Sequence, residues 1–439
     1  MPLPPPAGGD AAPTGGVSVS PEPIATPACL GGTPCVTAPQ DEALRWPILT
    51  ADDEEAVLAV LRSGALSINP EVAALEDDVR GWLGVEHVVA HNNGTSAIHA
   101  ALHAFDLQPG DEVIVPSATW WASVMPVLHH GAVPVFAETE TATLGLDPAD
   151  VEARITDRTK AIVVVHLFGM PSRMDELMAV ARRHGLRVLE DAAHAHGARF
   201  RGRPAGTIGD AGVFSFQSNK LVPSAEGGVF VTNDDALMER VVRYGHYERL
   251  LPMKQSPERR FAATGFGHKF RMSPLSAAVA RGQLRHLEER NARRNAACER
   301  LSRRLVPLGI DPFLPPADVD RVYFEFLVSA PASATGVTPA TLARALQAEG
   351  ARVGAPRYPL LHQQPMFTEG VWAQVARLEG RPEADRRYDP RDLPRTTAGN
   401  ANLLKLPSFP AASDELIDQY ATAFEKAIAH ATQLPQEPA

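Results

Sequence analysis

Cysteine is scarce, with Cys29, Cys35 and Cys298 the only three in 439 residues. An odd count without ligand-like spacing excludes a zinc cluster of the familiar kind, and Cys29 and Cys35 read as free thiols rather than a structural bridge. Excess positive charge is missing as well: the formal net charge is −10. That balance argues against a general nucleic-acid surface or an anionic-membrane surface. No apolar run approaches membrane-spanning length; "AIVVVHLFGM" is far too short and contains His166. The start, "MPLPPPAGGDAAPTGG", has no basic region and no apolar stretch, so it does not read as a signal peptide, and a cytoplasmic protein is the expectation. A dinucleotide fingerprint is also lacking. "GTIGDAG" has the wrong glycine spacing and follows no strand, which counts against a nicotinamide-dependent sugar dehydrogenase.

What is present is the composition of a globular chain, 44% hydrophobic and 21% charged, with length for two or three domains. Residues 1–40 are rich in Pro, Gly, Ala and Thr and cannot bury enough apolar surface to offset ordering entropy, so they are expected to form a disordered tail. Only its end, "PACLGGTPCVTAP", is placed to dock on the body. Residues 41–285 alternate helix and strand patterns. "SINPEVAALEDDVRGWL" offers Asn69 as N-cap, Pro70 at N1 and an apolar face of Val72, Leu75, Val79 and Leu83. "DEVIVP", "VPVF", "AIVVVHLF" and "RVLE" are short buried-strand runs, and "MDELMAVARRHG" is a helix closed by Gly185. Strands separated by helices predict an α/β fold with a mostly parallel sheet. "GVFSF" and "GGVFVTND" then follow each other with no helix between them, which breaks the alternation around Lys220. Residues 286–439 suit a smaller α+β C-terminal domain, entered through the charged helix "RHLEERNARRNAACERLSRRL" with "HLEERNARR" as a solvated face.

Four features fall where such a sheet binds ligands, at strand carboxyl ends. Asn93, Gly94 and Thr95 open a helix, whose free amides and dipole suit a phosphate; a plain N-cap is the bland alternative. Asp191 ends the strand of "VLEDAAHAHG", either as a carboxylate beside a cationic partner or as a solvated loop acid. Lys220, in "FSFQSNKLVPSAEGG", would be a nucleophilic amine if desolvated, against the commoner case of a surface lysine. Trp120 and Trp121 follow "DEVIVP" and could stack on a flat ring, or one could be core. Together they offer a phosphate cradle, a stacking ring, a carboxylate for a ring nitrogen and an amine for an aldehyde. Pyridoxal 5′-phosphate asks for these partners.

The chain also resembles the DegT/DnrJ/EryC1/StrS aminotransferases, fold type I pyridoxal-phosphate enzymes acting on sugars and cyclitols. The resemblance spans roughly residues 40–430 and is carried by "NGTSAIHAAL", "PGDEVIVPSATW", "GAVPVF", "RTKAIVVVHLFGMPSRMDEL", "EDAAHAHGA", "GDAGVFSF....K.....EGG" and "GHKFRMSPLSAAVARGQL". It implies that Lys220 is the Schiff-base lysine and Asp191 the acid on the pyridine nitrogen. By the same resemblance Gly94, Thr95 and Ser215 contact the phosphate and Trp120 stacks on the ring. His194 stands where the family often has glutamine near the cofactor's 3′-oxygen. Lys269 stands where many members have an asparagine that reaches the phosphate from the neighbouring subunit, which implies a homodimer with shared active sites. Pro223 and Ala225 depart from the family's usual threonine and glycine, while Glu226, Gly227 and Gly228 are retained.

The implied reaction is transamination from glutamate or glutamine to a ketosugar or keto-cyclitol, with Lys220 also moving the proton. "LGGTPCVTAP" with "RWPILT" resembles the lead-in of the cyclitol and aminohydroxybenzoate branch and points to a carbocyclic acceptor. A pyridoxal-phosphate dehydratase is the rival enzyme, but relatives of that kind tend to replace the lysine with histidine. A non-catalytic cofactor-binding partner is the rival from another class, and the intact Lys220 and Asp191 count against it. His166, His196, His246 and His268 lack metal-ligand spacing and read as structural or substrate-contacting. Glu190 reads as a strand-end residue with structural partners, and Arg271 as either a substrate-orienting or a dimer-bracing group.

Overall fold

The structure, a computed structural model, describes residues 24–435. The alternating pattern becomes strands β1 (His87–His91), β2 (Glu112–Pro116), β3 (Val133–Ala137), β4 (Thr159–Val165), β5 (Arg187–Asp191), β6 (Arg199–Phe200), β7 (Arg203–Pro204), β8 (Ala211–Ser215), β9 (Gly228–Thr232), β10 (Val319–Asp320), β11 (Phe326–Ser329) and β12 (Leu403–Leu406). Seven of them form one sheet in the order β1-β9-β8-β5-β4-β2-β3. β3, β2, β4, β5 and β8 pair in parallel, while β9 runs antiparallel to both β8 and β1. The break around Lys220 is thus the β8–β9 connection, an antiparallel pair joined by the lysine loop. Near-continuous apolar strands of this kind need cover on both faces, and helices between them supply it. β1, β2, β5 and β8 all point their carboxyl ends to one edge.

The helices start and stop where their chemistry dictates. Asn69 caps Pro70–Leu83 by accepting from the Glu71 amide, and Leu75, Val79 and Leu83 are buried on its inner face. Met174–His184 buries Met174, Leu177, Val180 and Ala181 and ends at Gly185, whose φ of 65° favours glycine. No helix among the described residues is long and apolar enough to cross a membrane.

A second core lies under β11, β12 and the helices Leu287–Leu305, Pro339–Ala348 and Asp414–Ala429, with Cys298, Leu301, Tyr323, Phe326 and Phe424 at its centre. The stretch 286–439 divides its apolar residues between the two cores. Phe367, Trp372 and Tyr388 belong to the sheet lobe, where the Phe367 and Tyr388 rings lie 4.9 and 5.5 Å from Phe136.

Two expectations meet structure that composition could not reveal. The N-terminal segment read as a tail is described from residue 24, and its later part is held to the second core. Glu349 accepts from the amides of Ala28 (2.7 Å) and Cys35 (2.9 Å), and Lys426 bridges Glu349 and the Thr33 carbonyl. The remainder of that segment, 1–23, lies outside the described residues. "HLEERNARR" is solvated on one side only. Glu288, Glu289 and Arg293 are exposed, but Arg290 and Arg294 are buried under the chain at Trp46 and Ile48, and Asn291 is buried where it donates to the His196 carbonyl. Cys29, Cys35 and Cys298 are free thiols.

Candidate active site

The shared strand edge carries a cavity of about 580 Å³. Gly94, Thr95, Trp120, Asp191, His194, Ser215 and Lys220 all line it. Lys269 does not; it is exposed on the segment before Phe270.

At the end of β1, Asn93 caps the helix Gly94–Ala104 by accepting from the Ser96 amide at 2.8 Å. The amides of Gly94 and Thr95 stand one turn too early to find an intrahelical acceptor, which leaves them for an anion. Close approach fixes the glycines. A Cβ on Gly94 would sit 2.8 Å from Ser215 Cβ, and one on Gly228 would sit 2.6 Å from the Gly94 nitrogen. Ser215, at the end of β8, therefore brings its hydroxyl against the same helix start.

Asp191 closes β5 and is buried. Its two oxygens are pinned separately, one by Ser123 Oγ at 2.7 Å and the other by the Ala193 amide at 3.1 Å. Ser123 is in turn 3.0 Å from Thr119 Oγ1. The neighbouring Glu190 faces away, as a structural strand-end residue. It accepts from His166 (2.8 Å) and from the amides of Gly206 (2.8 Å), Ile208 (2.5 Å) and Gly209 (2.5 Å).

Lys220 sits in the loop after β8, which is closed by the Phe216 amide on the Gly227 carbonyl and the Ser224 amide on the Phe216 carbonyl. The residue as a whole is half-buried, but its Nζ lies within the cavity, 4.7 Å from the centre of the Phe324 ring. Among the described residues its Nζ makes no hydrogen bond. Burial pulls this amine down from its ordinary value to about 8; Arg357 adds to the drop, while Asp191 and Glu325 oppose it.

His194 lies flat in an aromatic stack, 4.1 Å from Phe324 and within 10° of parallel. Burial first, then Lys220, His196 and Arg357, hold its pKa well below the ordinary histidine value. The Phe168 amide donates to its Nδ1, so the proton resides on Nε2, 3.1 Å from the Tyr358 hydroxyl. Trp120 and Trp121 are 45% and 42% exposed, so neither is the core residue that the sequence left open. Arg271 pairs with Glu248 at 3.5 Å and stays out of the cavity. No group of three or more His, Cys, Asp or Glu among the described residues could hold a metal ion.

Sequence reading missed Ser123, Phe324, Arg357 and Tyr358. Ser123 lay within "SATWWASV", three residues past Trp120, but a hydroxyl carries no signal without its acid. The other three come from the C-terminal half, and no local pattern marks them.

The arrangement can hold an anion at a helix start, a protonated ring nitrogen at a fixed carboxylate, and an aldehyde at a desolvated amine. Comparison with known proteins agrees. The DegT/DnrJ/EryC1/StrS aminotransferase family profile matches residues 47–425. The L-glutamine:2-deoxy-scyllo-inosose aminotransferase of Streptoalloteichus tenebrarius is 37% identical over 372 residues, covering 82% of this chain and 86% of that one. The GDP-perosamine synthase of Caulobacter vibrioides is 40% identical over 265 residues, covering 60% of this chain and 70% of that one. An aminotransferase structure from Psychrobacter cryohalolentis superposes with a TM-score of 0.78 at 28% identity, covering 88% of this chain and 98% of that one. The chain belongs to the DegT/DnrJ/EryC1/StrS aminotransferase family and is a pyridoxal-phosphate-dependent aminotransferase of fold type I.

Proposed function

We propose that the chain moves an amino group from glutamine or glutamate to a polyhydroxylated cyclic ketone, a keto-cyclitol in preference to a ketosugar, at the cavity around Lys220. The observation that carries this is the desolvated Lys220 amine sharing one cavity with the pinned carboxylate of Asp191. The relative from Streptoalloteichus tenebrarius supports the donor and the carbocyclic acceptor, since its name joins L-glutamine to an inosose. The Caulobacter synthase keeps sugar nucleotides in view as the second acceptor class.

The residues present fit the cofactor. Gly94, Thr95 and Ser215 would hold the phosphate, the Cβ-free approach of Gly94 to Ser215 giving it room. Asp191, fixed by Ser123 and Ala193, would hold a positive charge at the ring nitrogen. Trp120 would stack on the ring and His194 would face its hydroxyl side. When bound, pyridoxal 5′-phosphate supplies an aldehyde that accepts the amine and a ring that takes up an electron pair. Lys220 Nζ would hold the aldehyde, and it is placed to take the proton lost from the donor's amine-bearing carbon as base and return it as acid. Phe324 and Tyr358 narrow the cavity around that amine and limit water there.

Lys269 points to assembly. Exposed in its own chain, it would complete the phosphate site of a second copy, giving a homodimer with two shared sites in the cytoplasm. We assign cofactor binding to residues 41–285 and the smaller domain to 286–439.

The test is direct. The purified protein should be yellow, and Lys220→Ala should lose both the visible absorbance and turnover on a panel of keto-cyclitols and nucleotide-linked ketosugars. A Lys220→Ala enzyme that aminates its ketone at the wild-type rate would sink the assignment.

A further inference from the structure

Behind Phe324, away from Asp191, lies a second cavity of about 470 Å³. Asn219, Phe324 and Arg357 line both cavities, so the two share a wall beside Lys220. The second is lined by four cationic side chains, Arg294, Arg352, Arg357 and Lys405, and one carboxylate, Glu325.

Two of those cations are already matched. Arg357 pairs with Glu325, and Arg352 pairs with Asp41. Arg294 and Lys405 have no acidic partner among the described residues. Arg294 is the unusual one. It is 2% exposed, its guanidinium lies 3.9 Å over the Trp46 ring, and its Nε and Nη1 have no hydrogen-bond acceptor. Burial lowers its pKa only to about 10, so the charge persists at neutral pH. The stacked ring is itself tied to the reaction centre, because Trp46 Nε1 donates to the Lys220 carbonyl at 3.0 Å. A buried guanidinium without an acid is expensive, and a ring face offsets only part of that cost.

We propose that this second cavity is the carboxylate subsite for the amino donor, with Arg294 as its anchor and Lys405 as the second charge. The inference rests on the aminotransferase reading above and extends it to how the donor is recognised. An amino acid brings a carboxylate wherever it brings its nitrogen, so a donor subsite must adjoin the amine that handles the nitrogen. The polyhydroxylated ring of a keto-cyclitol carries no charge and gains nothing from an unmatched arginine, whereas a nucleotide-linked ketosugar would bring a diphosphate, which pyrophosphate stands in for below. A guanidinium also matches a carboxylate through two parallel hydrogen bonds from Nη1 and Nη2, and Nη1 of Arg294 has no acceptor within the described residues to compete for it.

The experiment uses the holoenzyme and glutarate, a dicarboxylate without an amine, titrated by calorimetry, with pyrophosphate as competitor. Glutarate should bind the wild type and bind Arg294→Gln about tenfold more weakly or worse, with Arg294→Lys recovering part of the loss. The donor KM should rise in Arg294→Gln while the rate of the acceptor half-reaction, started from the aminated enzyme, stays unchanged. Equal glutarate affinity in wild type and Arg294→Gln overturns the proposal. So does pyrophosphate binding in its place and more tightly, which would mark a phosphate site. Should Arg294→Gln fail to fold, Lys405→Gln at the half-buried rim carries the same expectation for glutarate. Failure of the subsite leaves the visible cofactor absorbance intact, whereas failure of the aminotransferase reading removes that absorbance from the wild type.

Discussion

The amine at position 220 should titrate far from where a lysine ordinarily does. Burial and Arg357 bring its pKa from 10.5 to about 8 against the pull of Asp191 and Glu325. At pH 7 an amine of that pKa is neutral in about one molecule in ten, against roughly one in three thousand for an unperturbed lysine. Holding the ammonium in the cavity costs the cofactor-free protein about 3 kcal/mol. The sign follows from the lowered folded value: the cost is fully present below pH 8 and is relieved as pH rises from 8 towards 10.5, so the cofactor-free protein gains stability across that window. The same titration controls reactivity, because only the neutral amine attacks an aldehyde. Stopped-flow mixing of cofactor-free protein with pyridoxal 5′-phosphate should give a capture rate that climbs about tenfold per pH unit below 8 and flattens above it. Arg357→Gln should move the inflection upward, since it removes one positive neighbour and frees the Glu325 carboxylate to act on the amine. A rate that climbs unbroken beyond pH 9.5, or an inflection unmoved by Arg357→Gln, would refute the claim that this lysine is activated by its surroundings.

Ser123→Ala removes the 2.7 Å hydrogen bond to Asp191 and should lower kcat and weaken cofactor retention by about 1–2 kcal/mol, read by turnover and by dialysis against phosphate buffer; unchanged values would show that the Ala193 amide alone holds the acid. Acid should destabilise the fold well above the carboxylate range. Burial holds His91 and His130 down to about 4 and His99, His103 and His196 down to about 3. Stability from these neutral rings is complete above about pH 6.5 and is lost as pH falls towards 4, each ring being worth up to about 3 kcal/mol. Urea midpoints that stay level from pH 7 to 4.5 would contradict this. Glu349→Ala strips Lys426 of its 2.7 Å partner inside the second core and frees the amides of Ala28 and Cys35. Thermal unfolding should show a loss of about 3–5 kcal/mol, together with new protease sensitivity between residues 24 and 40; a melting curve like the wild type's would count against the strap.

The features legible in the sequence share one physical property: each is local. The strand runs, Asn69 and Asn93 as caps, and Gly185 as a stop all follow from a few neighbouring residues. Asp191, Lys220, Thr95 and Trp120 could be gathered into one site because parallel strands deliver their carboxyl ends to a common edge, which turns sequence order into proximity without any further knowledge. What stayed hidden depends on partners remote in the chain. Arg357, Tyr358 and Phe324 enter the cavity from the C-terminal half of the chain, and Ser123 has meaning only against Asp191. The rule that charge means surface failed at Arg290, Arg294, Glu349 and Lys426 for the same reason. Three of these find distant hydrogen-bonding partners that make burial affordable: Arg290 at Gln283 and Ile48, and Glu349 and Lys426 at each other. Arg294 finds only an indole face. With the other three of these buried charges matched by hydrogen bonds, the one left unmatched beside the catalytic cavity is the one our proposal assigns to an anion that arrives with the substrate.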